Sequence, residues 1–190
     1  MKTISNNIDN EIIINKSKFI TKLIKINDKK EIREIIDDLK KQDKDATHIC
    51  YAYIINGKMK AIDDGEPSGT AGVPILNVLK QNDLDYILGV VIRYFGGIKL
   101  GSGGLIRAYS NSITEALNKT TIKDIEYGKL ISIKFNYNDS KEIEYILKDY
   151  EIINKNYDDL IEFKLIANDE LINKLKKYNL KISIEKELIY

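Results

Sequence analysis

Ten of the chain's 11 glycines and both of its prolines lie between Gly57 and Gly104, in a sequence of 190 residues. Glycine gives up more conformational freedom on folding than any other residue. It therefore concentrates where the backbone takes a positive φ or comes close to something else. Two polar pieces hold most of these glycines, DDGEPSGTAGVPIL (Asp63–Leu76) and VVIRYFGGIKLGSGGLIRAY (Val90–Tyr109). The rest of the chain is lysine- and isoleucine-rich. A regular scaffold carrying two irregular loops, one acidic and one basic, points to a surface built to bind.

The scaffold can be read from hydrophobic periodicity. Glu11–Ile14 and Lys18–Ile26 read as strands, and Asn27 or Asp28 can cap the helix that follows. Ile32, Ile35, Ile36 and Leu39 fall on one face of that helix. His48–Ile55 is a continuous apolar and aromatic strand. Asn56–Gly57 is a turn signal, so Lys58–Ile62 returns as the second strand of a hairpin. Pro74 suits the first position of a short helix through Leu79. Tyr86–Tyr94 reads as a buried strand, Gly96–Gly104 as a loop, and Leu105–Leu117 as a helix.

After Gly128 the texture changes, with no Gly or Pro from Lys129 to Tyr190. Strands at 129–137, 150–156, 160–167 and 180–189 alternate with helices at 139–148 and 169–178. Asp139 and Glu142 suggest an acidic variant of the capping box. The βαββαβ order is that of a ferredoxin-like unit. The expected class is α+β with two domains, 1–126 and 127–190, and the boundary falls near Ile125–Lys129.

Composition narrows the functional classes. A net charge of +1 and a pI near 7.6 speak against strong global attraction to nucleic acid or acidic membrane, and leave room for a local patch. A single cysteine, Cys50, excludes an internal disulfide. No signal peptide and no apolar run long enough to span a membrane are present, so the expected address is cytoplasmic, without a membrane partner.

Between Asp85 and Glu115 there is no acidic residue, while Arg93, Lys99 and Arg107 are present. Gly101, Ser102, Gly103 and Gly104 bring backbone N–H groups to a helix start, where unpaired donors and the helix dipole favour an anion. The plainer alternative is that the glycines permit tight strand–helix packing and the cations are solvated. The spacing fits neither a Walker loop nor G-x-G-x-x-G, because Ile106 stands where the last glycine belongs.

In the acidic loop Asp63, Asp64 and Glu66 suggest Mg²⁺ held with waters. Adjacent aspartates cannot both point one way, which favours a different role. Carboxylates and the Ser68 and Thr70 hydroxyls often bond loop backbone, and the acids can equally pair with the basic loop. His48 is the only histidine, and Cys50 lies two residues on, so a Cys–His dyad is conceivable. Buried core is the commoner fate of such residues. No Cys/His metal constellation exists. Tyr51, Tyr53, Tyr94 and Tyr109 either stack on bases or are half-buried core.

The strings His48-Ile-Cys-Tyr-Ala52, Asp63-Asp-Gly-Glu-Pro-Ser-Gly-Thr-Ala-Gly72, Arg93-Tyr-Phe-Gly-Gly-Ile-Lys-Leu-Gly101 and Gly103-Gly-Leu-Ile-Arg-Ala-Tyr109 resemble the IMPACT/YigZ family. Glu11 and Ser17-Lys-Phe-Ile20 look like its first strands. The resemblance is strong over roughly 1–125. It implies a first domain like domain 2 of ribosomal protein S-five, and a ferredoxin-like second domain similar to the C-terminal domain of elongation factor G. Eukaryotic relatives are translation regulators that bind a large activator of a stress kinase. The family supplies no catalytic residue and no cofactor to carry over.

These readings converge on a protein that is not an enzyme. It would bind RNA, the ribosome or a translation-factor partner through loops 63–72 and 93–107. The expected anion-binding set is Arg93, Lys99, Gly101, Ser102, Gly103, Gly104 and Arg107. Asp63, Asp64, Glu66, Ser68 and Thr70 shape the second loop, and His48 and Tyr94 are secondary candidates. The competing reading is a Mg-dependent enzyme, or a binder of a phosphorylated small molecule or nucleotide, using the Gly101–Gly104 loop.

Overall fold

The structure, a computed structural model, describes residues 1–189, with side chains through 186. The chain is mixed α+β and divides into two units, Met1–Asp124 and Ile125–Tyr190. Tyr190, the last residue of the expected second domain, lies outside the described residues.

The first unit runs β1 (Lys2–Ile4), β2 (Ile8–Ile14), β3 (Ser17–Lys25), α1 (Lys29–Gln42), β4 (His48–Ile55), β5 (Lys58–Ile62), α2 (Gly72–Gln81), β6 (Ile87–Tyr94), α3 (Gly101–Leu117) and β7 (Ile122–Asp124). Five strands form one antiparallel sheet in the order β2-β3-β6-β4-β5. A separate ladder pairs β1 with β7, two strands too short to show a period in the sequence.

The pleat divides the sheet's side chains between two layers. Phe19, Leu23, Cys50, Ala52, Ile54 and Val91 pack under α2 and α3, against Ile75, Leu79, Tyr109 and Ile113. The opposite parity of β4, with Ile49, Tyr51 and Tyr53, faces α1, whose buried side is Ile32, Ile36 and Leu39. Asp28 caps α1: its carboxylate accepts from the Lys30 N–H at 2.9 Å, and Glu31 accepts from the Asp28 N–H at 3.0 Å. β6 lies at the centre of the sheet, buried from Ile87 through Arg93.

Two helix starts differ from the sequence reading. α3 begins at Gly101 rather than Leu105, so the expected glycine loop ends at Leu100 and Gly101–Gly104 form the helix's first turn. Glycine is a poor helix former, but burial of Leu105, Ala108, Tyr109, Ile113 and Ala116 along one face outweighs that preference. Similarly, α2 begins at Gly72 and Pro74 is its third residue. Pro74 still falls within the first turn, where N–H groups lack helical partners. Tyr86 stands just outside β6, with φ of +53° and its N–H bonded to the Asp85 carboxylate at 2.7 Å.

Close approach explains one glycine of the basic loop. A Cβ on Gly96 would sit 2.0 Å from the backbone of Lys16, at the tip of the β2–β3 hairpin. The loop after β6 is thereby pressed against that hairpin.

The second unit runs β8 (Tyr127–Phe135), a 3₁₀ turn (Tyr137–Asp139), α4 (Ser140–Ile146), β9 (Ile152–Tyr157), β10 (Ile161–Ala167), α5 (Asp169–Leu175) and β11 (Lys181–Ile189). Its antiparallel sheet has the order β11-β8-β10-β9. Ile131, Ile133, Phe135, Phe163 and Leu165 meet Ile143, Leu171 and Leu175 in its core. The Phe135 and Phe163 rings pack edge-to-face at 5.2 Å. The expected Asp139 capping box does not form: Asp139 is held in the helical region by the 3₁₀ turn, and its side chain makes no cap bond. Asn168 caps α5 instead, accepting from the Leu171 N–H at 2.9 Å.

Candidate functional site

Glu66 lies at the centre of a buried polar cluster beneath the glycine-rich loops. Its Oε1 accepts from Arg93 Nη1 at 2.5 Å and from the Tyr109 hydroxyl at 2.8 Å. The Glu66 and Arg93 side chains are 3% and 6% exposed. The acidic loop, the central strand β6 and helix α3 therefore meet on one carboxylate oxygen. The Arg93 guanidinium also lies 5.5 Å from the centres of both the Phe19 and Phe95 rings, a cation–π arrangement.

His48 joins from β4, directly opposite Arg93 in the β4–β6 register. Its Nδ1 is 2.9 Å from the Asp64 carbonyl, which can only accept, so Nδ1 carries a proton. Nε2 then faces Glu66 Oε2 at 3.9 Å. The Cys50 thiol lies against the Asp63 carbonyl at 2.8 Å and the Tyr109 hydroxyl at 3.4 Å. Burial, opposed by the Tyr109 hydrogen bond and aided by the neighbouring Glu66, Asp64 and Asp63, pushes the Cys50 pKa up to about 12. Burial likewise pushes the Tyr109 hydroxyl well above its ordinary range. Among the described residues no hydrogen bond joins His48 to Cys50. A thiol held this firmly in its neutral form is a poor nucleophile, so the conceivable Cys–His dyad has no chemical support.

Asp63 organises the loop itself. Its Oδ2 accepts from the Gly69 N–H at 2.8 Å, and its Oδ1 from Ala71 and Gly72 N–H at 3.1 and 2.8 Å. The residue capping α2 is Ala71, which has no polar side chain, so Asp63 caps α2 from the end of β5. Burial opposes its charge, but the three backbone donors outweigh that and hold its carboxyl below the ordinary range. Asp64 Oδ2 accepts from the Ile49 N–H at 2.8 Å, and Lys40 Nζ stands 3.6 Å from its other oxygen. Thr70 donates to the Pro67 carbonyl at 2.6 Å, and Ser68 is exposed.

The carboxylates suggested for Mg²⁺ are thus committed to protein donors, Asp63 and Asp64 to backbone N–H groups and Glu66 to Arg93 and Tyr109. No cluster of three or more His, Cys, Asp or Glu able to hold a metal occurs among the described residues.

The expected anion set splits in two. Arg93 is buried and neutralised by Glu66, so it does not face solvent with the other cations. Lys99, Gly101, Ser102, Gly103 and Arg107 are exposed around the first turn of α3, and Gly104 is half-buried. Leu100 precedes that turn without a side-chain cap, and the turn holds no acid. Arg107 folds back so that its Nη1 would lie 3.7 Å from a Cβ on Gly103. Neither Lys99 nor Arg107 makes an ion pair among the described residues. Tyr94 is engaged elsewhere. Its hydroxyl donates to Asp43 at 2.6 Å, a bond that, with burial, pushes its pKa up to about 12, and Lys18 covers its ring at 4.6 Å. The sequence reading missed Tyr109 as a partner of Glu66, a role that its 43-residue separation from Glu66 hides.

Residues 15–117 match the Impact N-terminal domain family. The chain is similar to IMPACT family member YvyE of Bacillus subtilis (strain 168), with 41% identity over 90% of this chain and 81% of that protein. It is also similar to IMPACT family member YigZ of Escherichia coli (strain K12), with 34% identity over 76% of this chain and 74% of that one. A crystal structure described as that of a hypothetical protein superposes with a TM-score of 0.66, at 28% identity over 97% of both chains. The chain belongs to the IMPACT family. Among the described residues no helix is long and apolar enough to cross a membrane.

Two outcomes follow from this geometry. Glu66→Ala leaves a buried guanidinium and a buried hydroxyl without their acceptor. It is expected to lower unfolding free energy by about 3–5 kcal/mol, read as a shifted urea midpoint by circular dichroism. A shift within error of wild type would show that the cluster does not hold the two loops together. Asp63, whose folded pKa is depressed, contributes stability that is present above its unfolded pKa of about 3.9 and lost as pH falls through the folded value. The urea-midpoint gap between wild type and Asp63→Asn should therefore be wide at neutral pH and narrow below roughly pH 4. A gap independent of pH would contradict the backbone-bonded carboxylate.

Proposed function

We propose that this protein is a non-catalytic, cytoplasmic, translation-associated binding protein that docks on RNA phosphates of the ribosome through the first turn of α3. The translation setting rests on the family resemblance, in which eukaryotic relatives are translation regulators. The observation that carries the binding reading is the exposed, uncapped turn Gly101–Gly104 with Lys99 and Arg107 beside it and no acid within it. Free N–H groups at a helix start attract anions, and a guanidinium adds a two-pronged donor. Phe95 and Ile98, each 44% exposed, offer apolar contact beside these cations. Loop 63–72 contributes indirectly in this reading, by holding Arg93 and the base of the basic loop in place. A translation-factor protein would use the same patch, and such binding would persist after nuclease treatment.

One observation favours a second reading, a phosphorylated small molecule bound without the metal. A cleft of about 650 Å³ beside α3 is lined by Arg107, Asn111, Thr114 and Asn15, with Leu100 and Ile106 as apolar walls.

In sedimentation with ribosomes across a salt series, wild type is expected to co-sediment at low salt and to be released steeply as salt rises. The Lys99→Ala/Arg107→Ala variant should bind weakly throughout. Binding that ignores salt, or survives the double substitution, would overturn the phosphate reading. A thermal-shift series with nucleotides and sugar phosphates tests the second reading. A true ligand at a hundredfold excess over Kd adds roughly 2.7 kcal/mol of stability, and a flat series would rule it out.

A further inference from the structure

A second cationic surface lies on the opposite face of the five-stranded sheet, in a groove of about 260 Å³ between α1 and the edge strand β5. Its walls carry Lys29, Arg33 and Lys40 from α1 and Lys60 from β5, and its base carries Tyr51 and Tyr53. Asp37 is its single acidic lining residue, 3.8 Å from Arg33. Four cations line it against that one acid; Lys40 also stands 3.6 Å from Asp64 Oδ1, while Lys29 and Lys60 make no ion pair among the described residues.

This segregation is not an accident of one helix turn. At 100° per residue, Lys29, Arg33 and Lys40 fall on one side of α1, while Glu31, Glu34 and Asp38 fall on the other. Two of those acids are engaged: Glu31 accepts from the backbone at the helix start, and Asp38 pairs with Lys41 at 2.8 Å. On β5, Lys58 shares the parity of Lys60 and extends the same face. Lysines on an edge strand also serve to discourage strand addition. That role accounts for Lys58 and Lys60, but not for the cations of α1 facing them. From Lys29 to Lys40 the row spans about 16 Å, long enough to follow a chain rather than a single ion.

We propose that this groove binds a short single-stranded segment of RNA, its phosphates held by Lys29, Arg33 and Lys60 and one base stacked on Tyr51. Tyr53 is 5% exposed and forms the groove's floor, whereas Tyr51 is half-buried and lines the groove. Cations flanking an aromatic ring are the arrangement that holds single strands without reading their sequence. The groove uses none of Lys99, Arg107 or the first turn of α3, so it stands apart from the patch invoked for ribosome docking.

Fluorescence anisotropy with a labelled octameric oligoadenylate tests the assignment on the full chain. The variants are Lys29→Ala/Arg33→Ala/Lys60→Ala, Tyr51→Leu and, for the other patch, Lys99→Ala/Arg107→Ala, each checked for wild-type circular dichroism. The triple variant is expected to weaken binding at least tenfold and to reduce the slope of log K against log salt by about 2, at roughly 0.7 per phosphate contact. Tyr51→Leu should cost about tenfold. If only the Lys99→Ala/Arg107→Ala variant loses the oligonucleotide, the groove assignment is overturned and the α3 reading stands. If only the groove variants lose it, the groove assignment stands and the α3 turn is not the oligonucleotide's site. If Tyr51→Leu binds as wild type and a polyglutamate peptide displaces the oligonucleotide at equal charge, the groove fits an acidic protein segment and the RNA assignment is overturned.

Discussion

Loop and scaffold meet at the buried pair of Glu66 and Arg93. A carboxylate and a guanidinium are costly to remove from water, and the cost is tolerable only when geometry and further hydrogen bonds satisfy both groups. Here Tyr109 supplies a second donor to the same Glu66 oxygen and His48 stands near the other, while the buried Arg93 Nε has no hydrogen-bond partner and the guanidinium leans on the Phe19 and Phe95 rings. Strand β4, strand β6, helix α3 and the acidic loop each contribute one member. None of these partners can move alone without leaving a charge or hydroxyl unsatisfied. Such an arrangement fixes one loop conformation more strictly than an apolar contact could.

In the most motif-like stretch of the sequence, Asp63–Gly72, all three acids are committed to protein donors rather than left free for a ligand. Asp63 is spent on capping α2, Asp64 on the β4 backbone and Lys40, and Glu66 on Arg93 and Tyr109. Turning these carboxylates inward removes negative charge from the neighbourhood of α3, where Lys99 and Arg107 remain exposed. The acidic loop thereby shapes the field felt by a ligand without touching it.

Much of the scaffold was legible because period-2 and period-3.6 patterns are local. His48–Ile55, the hairpin at Asn56–Gly57, the Asp28-capped helix and the alternation after Gly128 all follow from neighbouring residues. The pairing of the acidic with the basic loop was open to inference from opposite charge, since Arg93 lies in a stretch free of acids. What could not be read was which cation is buried. Arg93, Lys99 and Arg107 look alike in sequence. Only Arg93 sits within the central strand, where both neighbours exclude water. The start of α3 at Gly101 was hidden for a related reason: propensity argues against it, and the burial that overrides propensity is tertiary. Strands β1 and β7 carry no periodic signal because three residues cannot establish one. The groove beside α1 depends on the β4–β5 register, which brings Lys60 alongside Tyr53, and no pattern within α1 alone reveals it.

With near-balanced charge overall, the chain exerts little long-range pull, and any preference for polyanions must come from local segregation. The fold achieves this on both faces of the five-stranded sheet. On one face Glu66 is buried and the half-buried Asp63 and Asp64 are bonded to backbone N–H groups, leaving the α3 turn basic. On the other, α1 keeps Glu31, Glu34 and Asp38 on the side away from the groove. The two faces share β4, whose side chains point alternately to Glu66 and Tyr109 on one side and to the α1 groove on the other. Cys50 and Tyr51 are neighbours in sequence, yet Cys50 contacts Tyr109 and Tyr51 lines the groove. A distortion of β4 that disturbed the Glu66 cluster would therefore also tilt the floor of the groove. The rigidity conferred by one buried ion pair reaches both proposed surfaces through a single strand.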